Sequence, residues 1–171
     1  MTILHTDLDL PTPVAARIAT AADEPALRHL WLLFRHDMSG VTGTLPGPDG
    51  TYRSERLDAA LDAAKPSWQP WLLSAGPQPV GLAITRALDE PTRVLSSFFL
   101  VAPVRRGGLG TAFARAVLEA APGEWSVAYQ ESNAAAAAFW PRLAQAFDKD
   151  SRRGVQGPDT WLTFTVTAPR S

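Results

Sequence analysis

The run Arg105-Arg106-Gly107-Gly108-Leu109-Gly110 holds the most suggestive chemistry in the chain. It follows an apolar stretch, Val94 to Val101, and precedes Leu109, Phe113, Ala116, Val117 and Ala120, which mark one face of a helix. A glycine turn entering a helix leaves the first-turn N–H groups without partners, and the helix dipole favours an anion beside them. Gly108 and Gly110 permit close approach of a diphosphate, and Arg105 and Arg106 add positive charge. The order strand, arginine pair, glycines, helix therefore predicts a pyrophosphate cradle. Two other phosphate loops do not fit. The Gly-Lys-Ser/Thr ending of an NTPase loop is absent, and the third glycine of a dinucleotide fingerprint would fall at Phe113.

The elements that must position this loop can be read from periodicity. Residues 1–13 look like a loose leader, and Val14 to Ala19 like a short edge strand. From Pro25, the residues Leu27, Leu30, Trp31, Phe34 and Met38 recur at helical spacing. Ser39 to Gly50, rich in glycine and proline, predicts a loop, and Tyr52 to Ala64 a second helix stopped by Pro66. Trp71 to Ser74 and Val80 to Thr85 around Gly76-Pro77 predict a hairpin, and Val94 to Val101 a buried central strand. Trp125 to Gln130 and Trp161 to Val166 predict strands, with Ala134 to Phe147 a helix between them and Arg152-Arg153 a solvated turn. The implied architecture is a mixed α/β domain, one sheet with helices on both faces, spanning residues 1–171 without an internal boundary.

Composition narrows the partners. A formal net charge of −1 gives no general pull toward nucleic acid or an anionic membrane. With no cysteine, there is no disulfide, thiolate metal site or cysteine nucleophile. No run approaches the roughly 18 apolar residues that span a bilayer, and the start lacks a secretory pattern, so a cytoplasmic protein is expected. The three histidines show no metal-ligand spacing.

The segment Phe98 to Gly110 resembles the acetyl-CoA signature of the GNAT superfamily of N-acetyltransferases. Trp125 to Asn133, continuing through Phe139-Trp140, is similar to that superfamily's following block, in which a strand leads to an asparagine and then a helix. Phe34 to Ser39 and Asp49-Gly50-Thr51-Tyr52 resemble a bacterial subgroup of predicted acetyltransferases, so the likeness covers roughly residues 14–166. It implies a mostly antiparallel sheet, splayed at the cofactor site. It also implies that the backbone of Phe99, Leu100 and Val101 pairs with the pantetheine arm of acetyl-CoA, with an N–H near Leu100 polarising the acetyl carbonyl. Arg105, Arg106, Gly107, Gly108, Leu109, Gly110 and Thr111 would hold the pyrophosphate, Asn133 the cofactor arm, and Trp140 would border it. An amine would attack the thioester directly, so no cysteine is needed. The family's habit also implies a homodimer.

Two positions depart from the family pattern. Many members carry a tyrosine seven residues after the asparagine as the acid, where this chain has Trp140, and a carboxylate on the central strand as the base, where it has Ser96 and Ser97. Such acid–base help is worth about 10²–10⁴-fold. Glu131 could replace the base, or be a solvated or capping carboxylate; Tyr129 could replace the acid, or be packing. His36, Asp37 and Tyr52 could line the acceptor pocket, or be surface near a helix end. The expected activity is N-acetyl transfer from acetyl-CoA to an amine of a small molecule or an exposed amino group, with no metal. The competing reading is a non-catalytic acyl-CoA sensor on the same fold; a Rossmann-type nucleotide binder is the third.

Overall fold

Eight strands and four α-helices make up the computed structural model, which describes residues 1–168. In chain order they are β1 (Thr2–Leu4), β2 (Val14–Ile18), α1 (Glu24–Thr42), α2 (Glu55–Leu61), β3 (Gln69–Ala75), β4 (Gln78–Arg86), β5 (Thr92–Leu100), α3 (Leu109–Glu119), β6 (Gly123–Gln130), α4 (Ala134–Phe147), β7 (Arg152–Gln156) and β8 (Asp159–Val166). All strands join one sheet in the order β1-β2-β3-β4-β5-β6-β8-β7. Every pairing is antiparallel except β5 with β6. The mixed α/β architecture expected from the sequence is the one observed.

The sheet carries a core on each face. On one, α3 and α4 bury Phe113, Val117, Leu143 and Ala144 against Trp71, Leu73, Trp125 and Phe164. On the other, α1 and α2 bury Leu27, Leu30, Trp31, Leu57 and Ala60 against Leu72, Leu82, Ile84 and Phe99. Burial on both faces explains why β3, β4 and β5 read as near-continuous apolar runs rather than alternating ones. Between β4 and β5 the register slips: Ile84 opposes Ser97 while Thr85 opposes Leu95. Ser96 is left as a bulge, a device that bends a strand and re-aims its side chains.

Five sequence expectations require correction. The strand at Val14–Ile18 is not an edge strand, because β2 is flanked by β1 and β3. Residues 1–13 are not a loose leader, because β1 pairs along β2 from Thr2 opposite Ala16 to Leu4 opposite Val14, and Leu4, Leu8 and Leu10 pack on the core. α1 continues through Ser39 to Thr42, with Ser39 Oγ donating to His36 O at 2.6 Å and Thr42 Oγ1 to Met38 O at 3.1 Å. This last turn forms despite the low helix propensity of the exposed Gly40, and the helix stops at Gly43, which is left-handed and donates its N–H to Ser39 O. α2 spans only Glu55–Leu61, because Asp62 is extended and its side chain accepts from Ala64 N–H at 2.9 Å, a local turn that competes with the helix. Arg152 and Arg153 open the edge strand β7 rather than a turn.

A polar staple fixes the start of α1 to β2. Arg17 donates from Nη1 and Nη2 to the two oxygens of Asp23, both at 2.7 Å, and Asp23 also accepts from Thr20 N–H at 2.7 Å. The Asp23 side chain is 14% exposed, so these bonds are partly shielded from water. The hydrogen bonds from Arg17, and then those from Thr20, hold its carboxyl well below the usual carboxylate range. Because the folded-state value is the lower one, this stabilisation is complete above the unfolded-state pKa and is lost as pH falls below it. Asp23→Ala is expected to cost about 1–2 kcal/mol at pH 7. Its denaturation midpoint should approach that of the wild type as pH is lowered from 5 toward 2; urea titrations across that range check this.

Candidate active site

β5 and β6 pair only from Thr92 opposite Glu124 to Leu95 opposite Val127. Beyond that point β5 stays with β4 as far as Leu100, and β6 stays with β8 as far as Gln130. The two strands therefore part, and the facing backbone edges beyond Leu95 and Val127 lose their sheet partners. Val101 N–H donates to Val80 O at 2.9 Å, toward β4. Alternation along the chain turns Leu100 N–H toward the opposite edge, the one β6 has left.

The two faces of this splay are closed differently. On the α3–α4 face, Phe98 stacks on Phe113 at 5.2 Å between ring centroids and meets Phe139 at 5.9 Å and Trp140 at 5.3 Å. On the α1 face the last turns of α1 reach both strand ends. Asp37 forms an ion pair with Arg105, and Met38 Sδ accepts from Asn133 Nδ2 at 3.8 Å.

The loop between β5 and α3 presents a row of free donors. Arg105 N–H still bonds to Ala102 O, and the next backbone donor with a protein acceptor is Ala112 N–H, bonded to Gly108 O at 3.1 Å. Among the described residues, the N–H groups of Arg106 through Thr111 donate to no protein acceptor. Gly108 caps α3 with φ 77°, a left-handed conformation, and a Cβ placed there would meet nothing within 4 Å. Arg106 also adopts positive φ (70°), a costly conformation for a residue with a side chain. A Cβ on Gly110 would come within 3.9 Å of Phe139, so the start of α3 lies close to α4. Consecutive free N–H groups at the start of an eleven-residue helix fit a diphosphate by hydrogen bonding and by the helix dipole.

Other expected site residues occupy different roles. The Arg105 side chain turns away from the loop: its Nε donates to Leu100 O at 2.7 Å, its guanidinium pairs with Asp37, and its Cζ lies 5.3 Å from the Phe99 ring centroid. Arg105 thus ties α1 to the end of β5 instead of offering its charge to a phosphate. Asn133 caps α4 by accepting from Ala136 N–H at 3.1 Å, leaving Nδ2 with only the weak thioether contact. Trp140 is buried at 6% exposure in the aromatic cluster. Phe99 and Leu100 end β5, whereas Val101 lies just past it with its N–H taken by Val80 O.

Glu131 does not stand free. Its Oε1 accepts from Thr160 Oγ1 at 2.9 Å and from Arg153 Nη2 at 2.5 Å, and these bonds lower its pKa from the usual carboxylate value. Tyr129 is 4% exposed, with its phenol pKa raised by burial and then by the charge of Glu131. Asp37 reaches the loop through Arg105. The His36 ring is exposed and Tyr52 sits, half-buried, ahead of α2, neither making a side-chain hydrogen bond among the described residues. Sequence reasoning missed the Asp37–Arg105 tie, the Arg153–Glu131 pair and the Phe98 stack. Only the last left a signal, in the apolar periodicity of β5 and α4.

Among known proteins, the model of the acetyltransferase (GNAT) family matches residues 26–144, and the chain belongs to that family. No curated protein matches the chain closely enough to count as a relative. Solved structures share the fold. An acetyltransferase from Thermus thermophilus is 18% identical with a TM-score of 0.66, over 92% of this chain and 99% of that one. A ribosomal-protein alanine N-acetyltransferase from Escherichia coli is 14% identical with a TM-score of 0.62, over 92% and 96%. The aminoglycoside acetyltransferase AAC(6')-Ib in complex with coenzyme A is 20% identical with a TM-score of 0.62, over 89% and 94%.

The capping role of the Asn133 oxygen can be tested apart from its amide nitrogen. Asn133→Asp keeps the capping oxygen, whereas Asn133→Ala removes it and is expected to cost about 1 kcal/mol. Thermal unfolding should show the alanine variant clearly lowered and the aspartate variant near the wild type.

Proposed function

We propose that the chain is an acetyl-CoA-dependent N-acetyltransferase in which an amine, of a small molecule or an exposed amino group, attacks the thioester directly in a ternary complex. The observation that carries this reading is the row of N–H groups without a protein acceptor from Arg106 to Thr111, placed at the start of α3 beside the splayed β5–β6 pair. Bound acetyl-CoA supplies an acetyl group already activated as a thioester. The Arg106–Thr111 amides hold its diphosphate, Leu100 N–H donates to the acetyl oxygen, and Asn133 Nδ2 donates to the pantetheine arm. Asp37 acts at one remove, by fixing Arg105 against Leu100 O. The amine nitrogen bonds to the acyl carbon as the carbon–sulfur bond breaks, and the proton lost by nitrogen ends on the departing sulfur or in solvent. Glu131 is not a free general base, since it is already bound by Thr160 and Arg153. Positioning of two reactants is then the main source of rate.

A second reading is a binding or sensing module, favoured by the tied Glu131 and by the burial of Trp140 in the aromatic cluster. One experiment separates the two. The chain has no cysteine, so a thiol reagent reads only released CoA. Incubation with acetyl-CoA and an amine panel should release CoA above background, at a rate that rises with pH until the amine is neutral. Glu131→Gln should lose far less than the about 10²–10⁴-fold that removing a general base costs. Tight CoA binding with no release for any amine would establish the sensor instead. Gly108→Val should weaken CoA binding at least about tenfold, because a β-branched side chain resists φ 77° at the loop apex; calorimetry checks this.

A further inference from the structure

We propose that the acceptor is an amine that also carries an anionic group, a carboxylate or a phosphate, and that Arg56 and Arg86 bind that group. The inference rests on the transferase reading for the location of the acceptor, on the α1–α2 face of β5, opposite the α3–α4 side where the cofactor loop meets α4.

That face carries a local excess of cations in a chain whose net charge is −1. Arg56 on α2 donates Nη1 to Ser96 O at 3.1 Å, which brings its guanidinium to the β5 bulge where the two central strands begin to part. Arg86 lies two residues beyond Ile84 on β4, hence on the same face, with its Cζ 5.9 Å from the Trp68 ring centroid. Among the described residues neither guanidinium has a carboxylate partner. Glu55 is taken by Arg53 at 2.7 Å and Asp58 by Arg28 at 3.0 Å, while Asp89 and Glu90 in the following turn form no ion pair. The two arginines also lie near enough to affect one another: burial first, and then the charge of Arg56, depress the Arg86 guanidinium from its usual value.

A half-buried cation facing a second cation without an anion between them is unfavourable, and an arriving carboxylate or phosphate would relieve it through the guanidinium fork. Ser97 supplies an independent sign that a polar ligand is accommodated here. It opposes Ile84 and so faces the same side, it is 4% exposed, and its hydroxyl has no partner. A buried hydroxyl left unpaired is costly, and an amine in contact with it would satisfy it. Arg35, whose Nε is also buried without a partner, adds to the positive field that acts on Glu55.

The test is calorimetry on the CoA-loaded protein with matched amines: phosphoethanolamine against ethanolamine, glutamate against glutamine, and spermidine as the cationic extreme. Each anionic member should bind at least about tenfold tighter than its neutral partner, and the preference should shrink with added salt. The two pairs show whether phosphate or carboxylate is preferred. Arg56→Gln, at an exposed position, and Arg86→Gln should each abolish most of that preference while leaving CoA affinity unchanged; Arg86→Lys should retain part of it. Circular dichroism melts confirm that the variants are folded. Equal or tighter binding of ethanolamine, glutamine or spermidine, or a preference that survives both glutamine variants, overturns the proposal. CoA release measured in the same samples keeps the two readings apart. Arg86-dependent binding of anionic amines without release sinks the transferase reading alone, and release with cationic amines only sinks the anionic acceptor alone.

Discussion

A sheet that parts in its middle must find new partners for the backbone groups it exposes, because buried N–H and C=O groups are rarely left unpaired. Here the parting comes after four residue pairs of the one parallel ladder, and much of the surrounding structure answers to it. The Ser96 bulge falls where β5 and β6 cease to pair. Aromatic rings fill one side of the gap, since large apolar groups can occupy it without demanding hydrogen bonds. On the other side the end of α1 reaches across, one residue tied to the segment after β5 and the next to the residue that caps α4. An uninterrupted β5–β6 ladder would leave no exposed strand edge for an extended ligand to pair with.

The electrostatics of the site follow from how its charged side chains are spent. Arg105 is committed to Leu100 O and Asp37, and Arg153 to Glu131. The loop therefore attracts an anion through its amides, the α3 dipole and Arg106, which is exposed and forms no ion pair among the described residues. Amides hold fixed positions without the rotamer entropy that a long side chain loses on ordering. Arg56 and Arg86 are a contrasting case on the α1–α2 face, guanidinium groups without a carboxylate partner among the described residues.

What could be read in advance divides by range. β3 to β6, α3 and α4 were legible because their apolar periodicity is local and strong, and the glycine loop because its residues are contiguous. β1 was not legible, since three residues become a strand only by pairing with β2. The extension of α1 past Ser39 runs through Gly40, a residue that reads as a helix breaker, and β7 depends on the register of Gly154 opposite Trp161. The same distinction separates the site residues. Glu131 looked like a free carboxylate because Arg153, 22 positions later, reaches it only once β7 and β8 have paired. Arg105 looked like a phosphate ligand because its partner, Asp37, is 68 positions earlier.

A Cβ on Gly107 would fall 2.6 Å from Leu8 Cγ, so the glycine loop is shaped against a side chain contributed about a hundred positions earlier. Contacts of such separation close late in folding, since the entropy of the intervening chain must be lost first. Leu8 follows β1, a three-residue strand at the sheet edge, where local opening costs least. The loop therefore shares the thermodynamic fate of the edge on which it rests. A ligand that fixes the loop would slow amide exchange in β1 as well, a protection carried to the margin of the sheet through one leucine side chain.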